Sequence, residues 1–136
     1  MKFQEFMNKS HLMALYQDYN QHFLPLLGEL KKRDLNLHQA LILFSIFFEN
    51  QLEISPKLIE KTLGIPKDRI SQALASLEKK QLIQRELGKE DRRLRILKLS
   101  NHGKKTCSEL VALFDRFESL YETFLGDQKS SKDLLE

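Results

Sequence analysis

Polar side chains able to read bases collect in the stretch from Pro66 to Lys80. The apolar residues of this stretch keep the spacing of one narrow helical stripe, which leaves the opposite face polar. Gln can pair bidentately with adenine and Arg with guanine, whereas Lys and Arg also bind phosphates. The stretch therefore predicts a helix that contacts nucleic acid through Lys67, Arg69, Ser71, Gln72, Ser76 and Lys79.

Basic charge is concentrated just after this helix. The chain of 136 residues has a formal net charge of +3, but Lys79 to Lys105 holds ten lysines and arginines against three acids, a net +7. The remainder carries a net −4. Such segregation favours a surface that faces a polyanion, although a solvated charged face would leave the same pattern.

The most basic segment is predicted to be a β-hairpin. Two β-prone runs, Leu82 to Leu87 and Leu94 to Leu99, flank a polar loop from Gly88 to Arg93. A basic hairpin beside a base-reading helix can reach the flanking backbone or a narrow minor groove. The cations expected to do so are Lys89, Arg92, Arg93 and Arg95.

Two short helices position these groups. Ser55 is expected to cap a helix that begins at Pro56 and ends at Gly64, and Pro66 begins the next helix. A short helix, a tight turn and a polar-faced helix form a helix-turn-helix, whose second helix enters the major groove of double-stranded DNA.

Further helices are expected on both sides of this unit. Residues from about 11 to 32 form an apolar helical stripe in which Pro25 predicts a kink or break near Leu24. A deeply buried helix is predicted from Leu37 to Asn50. The fold class is therefore mainly α with a small β-hairpin.

A long final helix is predicted after the hairpin. Ser100 and Asn101 offer its N-cap, and its apolar stripe runs from Cys107 to Leu125. Gly126 is expected to end it, with a short further turn from Ser131 to Glu136.

The stretch from Ser55 to Lys105 resembles the MarR family of winged-helix regulators. The resemblance rests on Asp91-Arg92-Arg93 followed by a strand and the turn Leu99-Ser100-Asn101-His102-Gly103, with supporting segments at Leu58–Ile65, Ile70–Leu74 and Leu77–Arg85. The flanking helices agree in number and order with that family's layout.

The resemblance implies a role for several residues. Arg93 would enter the minor groove at the tip of the wing, supported by Asp91, while Ser71 and Gln72 would lie in the major groove. Residues 37–100 would form the winged helix-turn-helix part of a single domain. Helices within 1–34 and 101–136 would join two chains into a homodimer that reads a pseudo-palindromic site.

The sequence departs from the family pattern at three positions. Gln72 stands where many members have arginine, so base preference does not carry over. Gln81 replaces the usual glycine before Leu82, which predicts a differently shaped turn, and Pro66 occupies a position where Ser or Thr is a common cap.

Other residues admit more than one interpretation. Cys107 lies on an apolar stripe and suits an inert buried thiol better than an oxidant sensor. The histidines have no metal-ligand spacing, and the aromatic stripes suit core or dimer interface, or the wall of a pocket for a small-molecule effector.

Composition narrows the function classes. No apolar run reaches the length of a membrane span, and no secretory signal is evident, so a cytoplasmic protein without a membrane partner is expected. No phosphate loop, paired carboxylates or nucleophile–base spacing indicates an enzyme, a cofactor or a metal site. The expected function is that of a DNA-binding regulator of transcription, and we favour a repressor over an activator. The alternative is a winged-helix module that binds proteins and not DNA.

Overall fold

The computed structural model describes residues 1–49, 54–89, 91–93 and 95–135, and for residues 130–135 it describes the backbone alone. The N-terminal elements are α1 (Phe3–Lys9), α2 (His11–Asp18), a π-helical turn (Tyr19–Phe23) and α3 (Leu24–Lys32). They are followed by α4 (Leu37–Phe48), α5 (Pro56–Leu63) and α6 (Lys67–Lys79). A hairpin of β1 (Ile83–Leu87) and β2 (Arg95–Leu99) leads into α7 (Asn101–Leu135).

The chain divides into two compact units. One comprises Met1–Asp34 and Leu113–Glu136, and the other comprises Leu35–Ala112. The second unit holds the hairpin and the helices α4, α5 and α6, together with the first turns of α7. The predicted fold class, mainly helical with a two-stranded wing, is confirmed.

The core of the second unit forms around α6. Its buried stripe consists of Ile70, Ala73, Leu74 and Leu77, and both α4 and α5 pack against this helix. The strands are antiparallel, with Arg85 opposite Leu97. Ile96 and Leu97 point to opposite faces of β2 yet are both buried, because α4 and α5 both contact this strand.

Local caps explain where the two short helices begin and end. The Ser55 hydroxyl accepts a hydrogen bond from the backbone N–H of Leu58, and Gly64 adopts the left-handed conformation that ends α5. α4 begins with a capping box, in which Asn36 and Gln39 each accept a hydrogen bond from the other's backbone N–H. These caps fix the ends of the helices that support α6.

The turn from α6 into the wing is left-handed despite the absence of glycine. Gln81 has φ of 61°, and the N–H groups of Gln81 and Leu82 donate to the carbonyls of Glu78 and Leu77. This is the usual closing pattern of a helix that ends in a left-handed residue. Gln81 thus adopts the conformation that glycine usually supplies at the end of a helix.

The start of α7 lies against that same turn. The Ser100 hydroxyl accepts from the N–H of Gly103 and donates to the Gln81 carbonyl, while the Ser100 N–H donates to the Leu82 carbonyl. A Cβ at Gly103 would lie 2.1 Å from the Leu82 oxygen. Only glycine allows the helix to approach the wing this closely.

The irregularity predicted near Leu24 takes the form of a π-helical turn, in which the Leu24 N–H donates to the Tyr19 carbonyl, and this wider turn makes room for the ring of Pro25. The predicted end of α7 needs correction. Gly126 does not end α7, which continues to Leu135, because Gly126 is not in the left-handed conformation. The further turn from Ser131 is part of the same helix, and α1 was not predicted.

Candidate nucleic-acid interface

The exposed face of α6 is set by its buried stripe. Residues at spacing i, i+4, i+7 and i+11 share one side of a helix, and here they are Asp68, Gln72, Ala75 and Lys79, all exposed. This row lies opposite the buried stripe. Gln72 is therefore the central polar group of the face, with Ser71 and Lys67 on one flank and Arg69 and Ser76 on the other.

Most of the α6 residues predicted as contacts are exposed, namely Lys67, Arg69, Ser71, Gln72 and Lys79. Within the described part of the chain, their side chains have no hydrogen-bond or ion-pair partner, which leaves their donors available to a ligand. Ser76 differs, because its half-buried hydroxyl accepts a hydrogen bond of 2.9 Å from Gln39 Nε2.

The tip of the wing is organised by one carboxylate. Asp91 Oδ1 accepts hydrogen bonds from the backbone N–H of Arg93 at 3.0 Å and from its Nε at 3.2 Å. The Arg93 side chain stays 91% exposed, so the terminal nitrogens of its guanidinium are available to an anion. Asp91 thus restricts the orientation of Arg93 without covering it.

The other basic wing residues predicted as contacts, Lys89, Arg92 and Arg95, are exposed. Arg85 behaves differently, since its Nε forms an ion pair with Glu78 and so joins β1 to the last turn of α6. Glu90 and Leu94 lie outside the described residues.

Sequence reasoning missed the contacts that hold α6 in place. Gln39 is buried and links the start of α4 to Ser76, and Glu78 links α6 to the wing through Arg85. The capping-box pattern Asn36-Leu37-His38-Gln39 could have pointed to Gln39, but its bond to Ser76 spans 37 positions in sequence and leaves no local pattern.

Cys107 and His22 lie apart from this face. Cys107 is fully buried, its Sγ lies 3.7 Å from the Leu43 carbonyl, and burial raises the pKa of its thiol to about 11. His22 contacts the rings of Tyr121 and Phe124, and its buried Nε2 has no hydrogen-bond partner among the described residues. The described residues hold no cluster of three or more His, Cys, Asp or Glu side chains suited to a metal ion.

A family model described as the MarR family matches residues 33–94, the segment that contains α4, α5, α6 and β1. Over these residues the chain is similar to the MarR family. The matched segment includes the exposed face of α6 and the whole wing loop from Gly88 to Arg93. A comparison with curated proteins found no match.

Solved structures extend the likeness beyond residues 33–94. A mutant form of Staphylococcus aureus MepR has a TM-score of 0.77 at 20% identity, covering 92% of this chain and 93% of that one. A Staphylococcus aureus MepR–DNA complex has a TM-score of 0.76 at 20% identity, with the same coverage. The transcription regulator MarR from Oenococcus oeni PSU-1 has a TM-score of 0.70 at 22% identity, covering 90% and 96%. At these identities the likeness establishes the fold.

Proposed function

We propose that the protein is a DNA-binding regulator of transcription that binds a pseudo-palindromic promoter site as a homodimer. The observation that carries the proposal is the exposed face of α6 with unpartnered Gln72, Arg69 and Lys79 next to a basic wing whose Arg93 is oriented by Asp91. A polar helix face of this kind suits a major groove, and the wing suits the adjacent minor groove. The MarR-family match and the DNA-bound structure of MepR support it.

A homodimer would set two copies of α6 about one helical turn of DNA apart. In support, the first unit exposes many large apolar side chains, and surfaces of that kind mark protein interfaces. They include Phe3, Leu12, Leu15, Tyr16, Tyr19, Phe23, Leu120 and Leu125. We assign these helices, within 1–34 and 101–136, to dimerisation.

The finer features belong to the same proposal. The protein acts as a cytoplasmic repressor that blocks a promoter, it carries out no enzymatic reaction, and a small-molecule effector adjusts the spacing of its two α6 helices. Among the described residues, no helix is long and apolar enough to span a membrane. The MarR family consists of regulators, which supports the absence of catalysis.

Selection of bound fragments from the host genome tests the proposal. We expect enrichment of intergenic fragments with a shared inverted repeat, and a gel shift with the region upstream of the protein's own gene. Binding should weaken steeply with salt, since each phosphate contact contributes a slope of about −0.9 in log K against log salt. No enrichment together with a flat salt response would favour the alternative, a winged-helix module that binds proteins.

A further inference from the structure

A polar groove lies between the start of α4 and the exposed face of α6. Its volume is about 390 Å³, and both walls belong to the second unit, Leu35–Ala112, which we call the winged unit. The α4 wall carries Asn36, His38 and Gln39, and the α6 wall carries Arg69, Gln72 and Ser76. The proposed function so far gives this groove no role.

The basic donors of the groove come from two residues, His38 and Arg69. Gln39 is occupied, because its Nε2 donates to Ser76 Oγ and its Oε1 accepts from the Asn36 N–H, both at 2.9 Å. The bond to Ser76 joins the two walls, whereas the bond from Asn36 lies within the α4 wall. His38 on one wall and Arg69 on the other have no side-chain partner within the described part of the chain.

The charge of the groove favours an anion. Arg69 and His38 are its titratable groups from the two helices that form it, and the residues that line it include no carboxylate. An anion entering here would meet a permanent cation from α6 and an imidazole donor from α4, without a competing acid.

The position of the groove favours a phosphate of the DNA backbone as the anion. It opens beside Gln72, on the face that would enter the major groove, whereas Arg69 stands on the flank of that face and nearer α4. Half or more of protein–DNA hydrogen bonds go to phosphate and sugar, so a basic groove at the edge of a base-reading face is placed to meet the DNA backbone.

We propose that this groove binds one backbone phosphate of the DNA, with Arg69 and His38 as donors from opposite walls. The inference rests on the proposed DNA-binding function. It reassigns Arg69 from base reading to backbone contact and adds His38, which sequence reasoning did not include among the contacts. Base reading on α6 is then left to Ser71, Gln72 and neighbouring groups.

The test compares charge substitutions at His38 with the same substitutions at His11, an exposed histidine of α2 outside the winged unit. Affinity is measured by fluorescence anisotropy on a random-sequence duplex of about 30 base pairs, three turns of DNA, at several salt concentrations. We expect His38→Lys to tighten binding roughly fivefold and to steepen the salt slope by about one. His38→Glu should weaken binding about tenfold.

Equal effects at His38 and His11 would overturn the inference, because a general effect of net charge does not depend on the groove. Thermal unfolding of each variant checks that it folds. Arg69→Ala adds a second readout: a backbone contact lowers affinity equally for all sequences and flattens the salt slope by about one. A changed base preference at one site position would instead return Arg69 to base reading.

The two proposals fail differently. If the wild-type protein binds no duplex, the DNA-binding function itself is wrong, and this inference falls with it. If the wild type binds DNA and the His38 variants change its affinity by the same factors as the His11 variants, only the phosphate site in the groove is ruled out.

Discussion

At the scale of single residues, the contact between Arg93 and Asp91 gives the clearest test of function. Two explanations of this contact predict opposite effects on DNA binding when Asp91 is removed. Asp91 holds the Nε of Arg93 at 3.2 Å while the guanidinium remains exposed. If Asp91 only adds negative charge beside DNA, removing it strengthens binding. If it orients Arg93 for the groove, removing it weakens binding despite the gain in net charge.

We expect Arg93→Ala to weaken DNA binding about tenfold on every site, the loss of about one charge-assisted contact. Asp91→Ala should weaken it roughly threefold, since the backbone and side chain of Arg93 lose their common acceptor. Anisotropy titrations measure both. Tighter binding by Asp91→Ala would show that the carboxylate has no positioning role.

The positive φ of Gln81 predicts a gain in stability on replacement. A left-handed conformation costs a non-glycine residue about 1 kcal/mol, and the Gln81 side chain is exposed. Gln81→Gly should therefore raise the free energy of unfolding by about 0.5–1 kcal/mol, measured by urea denaturation. Gln81→Ala keeps the strain and should give no gain; equal gains from both variants would contradict the explanation.

Burial of Cys107 raises the pKa of its thiol from 9.0 to about 11, so the folded protein keeps this thiol protonated and unreactive at neutral pH. Because the pKa is higher in the folded than in the unfolded chain, the associated stability is present below pH 9 and is lost as pH rises towards about 11. Alkylation at about pH 8 should be slow in buffer and fast in urea. Rapid alkylation of the folded protein would support an oxidant sensor instead.

At the scale of elements, sequence could predict what is locally encoded. Ser55, Pro56 and Gly64 gave the bounds of α5 because caps depend on neighbouring residues alone. The π-helical turn before Pro25 could not be predicted, since it resolves a local clash in one of several available ways. Gly126 does not end α7 as its residue type predicts, because a glycine ends a helix in this way only when it adopts the left-handed conformation.

Gly103 connects two elements, and its replacement should be far more damaging than its helical position suggests. A Cβ there would lie 2.1 Å from the Leu82 carbonyl oxygen, so the wing and α7 must move apart. We expect Gly103→Ala to lower the free energy of unfolding by about 2 kcal/mol or more.

Gly126→Ala is the matched control for this substitution, because it lies within the same helix with nothing near its Cβ position. It should raise stability by about 0.5–1 kcal/mol, the ordinary preference of a helix for alanine. Similar effects of the two substitutions would mean that the close approach at Leu82 is not essential.

At the scale of the whole molecule, the side chains of the proposed interface were predictable and the means of holding them were not. Lys67, Gln72 and other residues of α6 are exposed because their spacing keeps them off its apolar stripe, and Arg92 is exposed because it lies in the wing loop. The bond from Gln39 to Ser76 depends on elements distant in sequence, as does the groove at His38. Residue types and spacing therefore predict which side chains face outward, but not which of them already have a hydrogen-bond partner within the protein.

The last prediction concerns assembly. Leu12 and Leu15 are 72% and 66% exposed on α2, which suits burial against a second copy. The double variant Leu12→Glu with Leu15→Glu should shift the protein from dimer to monomer in sedimentation experiments, because two buried carboxylates without partners would oppose association. Its affinity for the inverted repeat found by fragment selection should fall more than about tenfold, since a monomer contacts one half-site.

Gln17→Glu supplies the control, a new carboxylate at an exposed polar position of the same helix. It should leave both the dimer and the affinity for the inverted repeat nearly unchanged. On a random duplex, the double variant should lose less than on the inverted repeat, because phosphate contacts by a single wing and a single α6 remain. If the double variant stays dimeric and binds like the control, another surface joins the two chains, and the α2 face is free for a different partner.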